Sequence, residues 1–222
     1  MSDAPIIGVI HTSPATVDLF GRLLRERISG AKVINLLDDS ILPELRENGA
    51  DLAAVAPRWR SYARIVSERG VDVVLNACSS IGELCAVAQA DIPQPIVRVD
   101  ARMADEAVRR GERIGVAATL ATTLRPTGDL IRDTAQRLGK SVAVETRLAA
   151  GAYEALIAGD QARHDALVAE TLRDLAQRLD VVVLAQASMA RVADTLDPAL
   201  AAKMLASPAF AVEAVAAALE KP

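Results

Sequence analysis

"VDVVLNACSSIGE", residues 71–83, carries the apolar run Val73–Leu75 to Asn76 and Ala77 and then breaks into a cysteine, two serines and a glycine. "LDVVVLAQASMAR", residues 179–191, repeats the pattern in the second half of the chain. Each copy opens on an Asp, continues in Val and Leu, and ends in small or hydroxyl residues that lead into a helical pattern. Continuous apolar runs, rather than alternating ones, mark parallel strands covered on both faces. A strand that turns directly into a helix is the building unit of an α/β sheet.

Working outward, five more runs have the same character: residues 5–10, 31–37, 94–99, 113–118 and 141–146. Between the strands lie stretches with apolar residues at helical spacing: 15–28, 51–70, 83–90, 104–111, 124–139 and 163–179. The alternation predicts an α/β fold with parallel sheets. The duplication extends further: "IIGVIHTSPATVDLFGRLLRE" (6–26) resembles "RIGVAATLATTLRPTGDLIRD" (113–133). A repeat of this size predicts two similar α/β lobes, residues 1–99 and 100–207, with a final helix at 208–222 joining the first. Two facing lobes of this kind place the carboxyl ends of their strands along one cleft, where ligands bind in such sheets. The candidate positions are the residues that follow strands: His11, Thr12 and Ser13; Asn76 to Ser80; Thr119 to Thr123; and Gln186 to Met189.

The 222-residue chain is long enough for a sizeable core, and its apolar half is nearly free of aromatics. Its net charge of −4 and lack of basic runs argue against nucleic acid as a partner. No segment is apolar for long enough to span a bilayer, and "MSDAPIIGVI" does not read as a secretory leader. The expected location is the cytoplasm, where thiols stay reduced. The two cysteines and two histidines form no metal-ligand pattern, and "GVIHT" and "GVAAT" lack the dinucleotide fingerprint.

Cys78 can be read as a buried strand-end residue or as a reactive thiol. Ser80 and Glu83 stand at capping-box spacing, which would place Cys78 just ahead of a helix and lower its pKa. Cys85 falls on an apolar helical stripe and reads as core. Ser13, before Pro14, reads as a helix N-cap, and Thr122 and Thr123 suit the start of another helix. Such caps can also hold a carboxylate. His11 is either satisfied by its own backbone surroundings or placed to orient the thiol or a ligand oxygen. His164 reads as structural; Arg58 and Arg60 read as solvated, or as carboxylate ligands if their helix borders the cleft.

The duplicated lobes, the cysteine of "NACSS" and the run "GVAATLATTLRPT" together resemble the aspartate/glutamate/hydantoin racemase superfamily over nearly the whole chain. The resemblance implies two pseudo-symmetric flavodoxin-like lobes and cofactor-independent chemistry by two cysteines, one per lobe, flanking the substrate's acidic carbon. It assigns the first cysteine to Cys78. The count from Asp72 to Cys78, repeated from Asp180, puts Gln186 where the second cysteine belongs, with Ser188 the nearest hydroxyl. Gln186 has no titratable proton, and Ser188 would need a base beside it.

The expected function is therefore a racemase- or epimerase-like isomerase that moves a proton at the carbon α to a carboxylate, with Cys78 as acid and base. Gln186 and Ser188 would complete the catalytic set; His11, Thr12, Ser13, Asn76, Ser79, Ser80, Thr119, Thr122 and Thr123 would bind substrate and stabilise an enediolate-like anion. No metal or cofactor is expected, the partner is a small carboxylic acid, and a homodimer or larger homo-oligomer is the default. Two other readings stay open. One is a one-thiol decarboxylase or a cis-trans or keto isomerase, as in the arylmalonate decarboxylase and maleate isomerase branches that the resemblance includes. The other is a non-catalytic small-molecule binder.

Overall fold

The computed structural model describes residues 4–220. Its elements are, in order, β1 (Ile6–His11), α1 (Ala15–Arg27), β2 (Lys32–Leu37), α2 (Ile41–Glu47), α3 (Leu52–Ser67), β3 (Val73–Asn76), α4 (Leu84–Ala88), β4 (Ile96–Arg98), α5 (Ala101–Arg110), β5 (Arg113–Ala118), α6 (Ala121–Arg137), β6 (Ala143–Leu148), α7 (Ala152–Ile157), α8 (Gln161–Arg178), β7 (Val181–Leu184), α9 (Ala190–Ala193), α10 (Pro198–Ala201), β8 (Met204–Ala206) and α11 (Ser207–Leu219). Short 3-10 turns at Ser79–Ile81 and Ala187–Met189 follow β3 and β7. The chain divides into two compact units, one running to Val99 and resuming at Pro208, the other spanning Asp100–Ser207.

Each unit holds one four-stranded, all-parallel sheet, in the orders β2-β1-β3-β4 and β6-β5-β7-β8. The registers match pair for pair: Gly8 lies against Val74 as Gly115 lies against Val182, and Asn76 against Arg98 as Leu184 against Ala206. The Asp that opens each repeated stretch has one job in both. Asp72 accepts the Ile6 N–H at 2.7 Å, and Asp180 the Arg113 N–H at 2.9 Å, tying the start of the central strand to its neighbour.

The first sheet is packed on both faces, as its unbroken apolar strands require. Ile10 and Val74 meet Val55, Trp59, Ala63 and Val66 of α3. Ile7, Val9, Val73 and Leu75 meet Phe20 and Leu24 of α1 and Ala211, Val212 and Val215 of α11. The second sheet sends Ala117, Val182 and Leu184 against Val168, Leu172 and Leu175 of α8. A glycine sits at the same place in both central strands because a helix comes close there. A Cβ on Gly8 would stand 2.1 Å from Val66 Cγ1, and one on Gly115 2.8 Å from Leu179 Cδ1. No helix among the described residues is long and apolar enough to cross a membrane.

Sequence patterning misses the short pieces: α2, α7, α9, α10 and β8. β8 has only three residues, too few for a period-two or continuous pattern to register. The expected helix over 83–90 contracts to α4, whose N-cap is Glu83. Cys78 precedes a 3-10 turn, and neither Cys78 nor Glu83 caps its element through its side chain. Ser13 is likewise no hydroxyl cap. α1 begins at Ala15 behind Pro14, and Ser13 contributes its carbonyl, which accepts from Thr16 Oγ1 at 2.9 Å. Thr122 and Thr123 lie inside the first turn of α6, behind Leu120.

Candidate functional site

Parallel strands end together at one edge of their sheet, so the residues after β1 and β3 gather in the first unit and those after β5 and β7 in the second. In the first unit Thr12, Asn76, Cys78, Ser79 and Ser80 are all buried; Ser13 is half-buried. Cys78 is extended (φ −138°, ψ 117°) at the head of the 3-10 turn. Its sulfur receives hydrogen bonds from the Thr12 hydroxyl, the N–H groups of Ser80 and Ile81, and the Ser80 hydroxyl. Burial pushes the thiol pKa up, and these four donors pull it back only in part. The direction is opposite to the lowering expected from a helix start: desolvation of the buried sulfur outweighs the donors. Cys78 rests as the protonated thiol, with donors already arranged for the thiolate.

Asn76, fully enclosed at the end of β3, donates from Nδ2 to the Cys78 carbonyl at 3.1 Å and to Cys85 Sγ at 3.3 Å. Cys85 itself packs in the core of the first unit. His11 is also fully enclosed. Its Nδ1 lies 2.8 Å from Thr16 Oγ1 and its Nε2 2.9 Å from Asn35 Oδ1, so both ring nitrogens are engaged by β2 and the start of α1. Burial lowers its pKa, the Asn35 contact offsetting part of the effect, and the ring is neutral at pH 7. His11 thereby fastens the strand end that carries Thr12.

The second unit builds the same corner from different residues. Gln186, half-buried, occupies the position equivalent to Cys78 and is also extended (φ −129°, ψ 143°) before its 3-10 turn. Its Oε1 accepts the Thr119 N–H at 2.8 Å, and its Nε2 donates to Thr123 Oγ1 at 2.6 Å. Thr119 is the counterpart of Thr12, and Thr123 that of Thr16. Where the first unit has a thiol held by a threonine, the second has an amide that bridges two threonines. Ser188 is half-buried within the 3-10 turn, and the Thr122 hydroxyl is buried without a partner.

Thr16 and Asn35 are the polar residues of this corner that sequence reading passed over. The aligned repeats held the signal for Thr16, since a threonine recurs four residues after Thr12 and after Thr119. Nothing local marks Asn35, whose role depends on the pairing of β1 with β2. Arg58 and Arg60 are partly solvated, their side chains 37% and 38% exposed, and both are committed to ion pairs. Arg60 grips Asp91 through two bonds of 2.6 and 2.7 Å, and Arg58 pairs with Glu44 at 2.6 Å and Asp38 at 3.1 Å. His164 is buried with Nδ1 on Asp165 at 2.7 Å. Among the described residues, no group of three or more His, Cys, Asp and Glu side chains is placed to hold a metal ion.

The sequence matches the family described as Asp/Glu/Hydantoin racemase over residues 7–215. No curated protein matches it significantly. Among solved structures, it is similar to a glutamate racemase isoform from Bacillus anthracis (TM-score 0.79, 13% identity, 97% of this chain and 82% of that one). A putative Asp/Glu racemase from Yersinia pestis gives a TM-score of 0.74 at 16% identity, over 98% of this chain and 100% of that one. Allantoin racemase from Klebsiella pneumoniae gives 0.67 at 18% identity, over 96% and 86%. At such identities the likeness bears on the fold.

Proposed function

The chain belongs to the Asp/Glu/hydantoin racemase family, and from that footing we propose that it moves a proton at the carbon α to a carboxylate, as a racemase- or epimerase-like isomerase. Cys78 is the acid/base group, and no cofactor takes part. The observation that carries this reading is the convergence of Thr12, Ser80 and two backbone N–H groups on a buried thiol. A thiol that only filled space would need no such donors. When the sulfur holds the proton, it can hand it to a carbanion; when it has lost the proton, the four donors stabilise the thiolate. The substrate is a small carboxylic acid. In the unit that carries Cys78, the hydroxyls of Thr12, Ser13, Ser79 and Ser80 supply hydrogen bonds to its carboxylate and to the enediolate formed on deprotonation.

A second reading has an observation of its own. Gln186 stands at the position equivalent to Cys78, and both ends of its amide are engaged by Thr119 and Thr123. An amide cannot exchange a proton at this step. One thiol then acts alone, protonating one face of an enediolate after loss of carbon dioxide, or moving a double bond or carbonyl.

Proton NMR in heavy water tests both, with a panel of both enantiomers of aspartate and glutamate, substituted malonates, maleate, and hydroxy and keto acids. Loss of an α-proton signal with the parent protein, abolished in Cys78→Ala, is the expected result. Appearance of the opposite enantiomer selects the racemase reading. Release of carbon dioxide or migration of a bond selects the one-thiol reading. Turnover that persists in Cys78→Ala would remove Cys78 from both.

A further inference from the structure

Asn76 ends β3 with its main chain already committed. It sits in the ladder between Ile10 and Arg98, and its carbonyl accepts the Val99 N–H at 3.1 Å. Its side chain is fully enclosed, and its Oδ1 has no hydrogen-bond partner. Reversing the amide gains nothing, because oxygen would then face the Cys78 carbonyl. A buried amide with one end open is a poor device for stability, since the unpaired oxygen offsets what the donor gains. A buried unsatisfied group of this kind calls for a reason of another sort.

The second unit supplies the comparison. There the equivalent residue is Leu184, buried and apolar, and the strand still runs into an extended residue and a 3-10 turn. The turn therefore forms without an amide. Both turns are 3-10, and they differ in what else meets the carbonyl at their head. In the second unit the Gln186 carbonyl accepts the Met189 N–H at 3.2 Å. In the first, the equivalent Cys78 carbonyl accepts a side-chain donor, Asn76 Nδ2 at 3.1 Å.

We infer that Asn76 is a positioning residue for the Cys78 thiol: by donating to the Cys78 carbonyl at 3.1 Å, its amide fixes the residue that carries the sulfur at the head of its turn. The inference rests on the reading of Cys78 as the acid/base group, and it adds how the fold keeps the thiolate's donors in place. It also accounts for the occurrence of the amide in the thiol-bearing unit and of leucine in the other. Without the amide, the Cys78 carbonyl loses this anchor, and the sulfur is held less closely against its donors.

The test is a pH titration of thiolate ultraviolet absorbance on the intact chain, taken as the difference from the same background with Cys78→Ala, beside a thermal melt. Asn76→Leu installs the second unit's residue; Asn76→Ala removes the amide without adding a charge. Both are expected to melt cooperatively while the Cys78 midpoint moves up by about one pH unit, a roughly tenfold loss of thiolate at a given pH. An unchanged midpoint in either folded variant overturns the inference, whatever the melting temperature does. Failure of both variants to fold makes Asn76 a residue of the fold and overturns it too. The titration needs no substrate. If Cys78→Ala leaves turnover intact, the proposed function falls while the midpoint shift still reports whether Asn76 governs the thiol.

Discussion

Cys78 ionises against its surroundings. Burial holds its folded pKa above the free thiol value of about 8.5, and the four donors recover only part of the shift. For a group with a raised folded pKa, the stabilisation is fully present below the unfolded pKa and is lost as pH climbs through the folded one. The melting temperature should therefore fall as pH rises above about 8.5, and Cys78→Ala should flatten that limb. A melt whose alkaline limb is the same in both proteins would show that some other group carries it. The same shift separates acid from base in turnover. If a rate-limiting step takes its proton from the Cys78 thiol, kcat holds through neutral pH and declines in the alkaline range. If thiolate must form first, kcat/KM climbs with pH. A falling alkaline limb thus favours protonation after loss of carbon dioxide, and a rising one favours chemistry that begins from the thiolate.

At the scale of the element, the paired glycines show how tightly each helix layer sits on its sheet. Alanine at Gly8 would press a Cβ to 2.1 Å from Cγ1 of Val66, a β-branched side chain with little rotamer freedom. At Gly115 the obstacle is Leu179 Cδ1 at 2.8 Å, the far end of a side chain that can swing aside. Gly8→Ala should cost about 3 kcal/mol and Gly115→Ala about 1 kcal/mol, on the usual scale of overpacking. Denaturant unfolding of the two variants checks this, and equal losses would refute the ranking. These elements were legible because buried parallel strands write themselves as unbroken Val, Ile and Leu runs, and because the chain writes them twice. The three residues of β8 and the short helices α2 and α7, of seven and six residues, were not, since three residues or fewer than two helical turns give no period. The strand-end positions of Thr12, Asn76, Cys78, Thr119 and Gln186 could be read off the repeat. Their partners could not. Asn35 reaches His11 only through strand pairing, and the direction of the Cys78 shift depends on how much water the fold excludes, which spacing does not encode.

The whole molecule is a duplication whose halves have kept one architecture and parted in chemistry at their strand ends. Both units retain the Asp clasp, the glycine under the helix, the threonine after the central strand and the 3-10 turn. They differ in Cys78 against Gln186 and, two residues earlier, Asn76 against Leu184. Gln186→Cys restores a thiol at both equivalent strand ends and isolates that difference. The substitution removes the bonds to the Thr119 N–H and Thr123 Oγ1, so a loss of about 1–3 kcal/mol is expected in denaturant unfolding. If one thiol acts alone in the parent, its deuterated product has a single handedness, and the variant gains the opposite enantiomer as a second group becomes able to exchange a proton. Chiral chromatography of products formed in heavy water reads this directly. A folded variant that still gives one enantiomer would show that the handedness is set by how the substrate is held rather than by the missing thiol. A parent that already yields both enantiomers would show that a group other than a second cysteine completes the exchange, which would leave Gln186 as a strand-end clamp and the racemase reading intact.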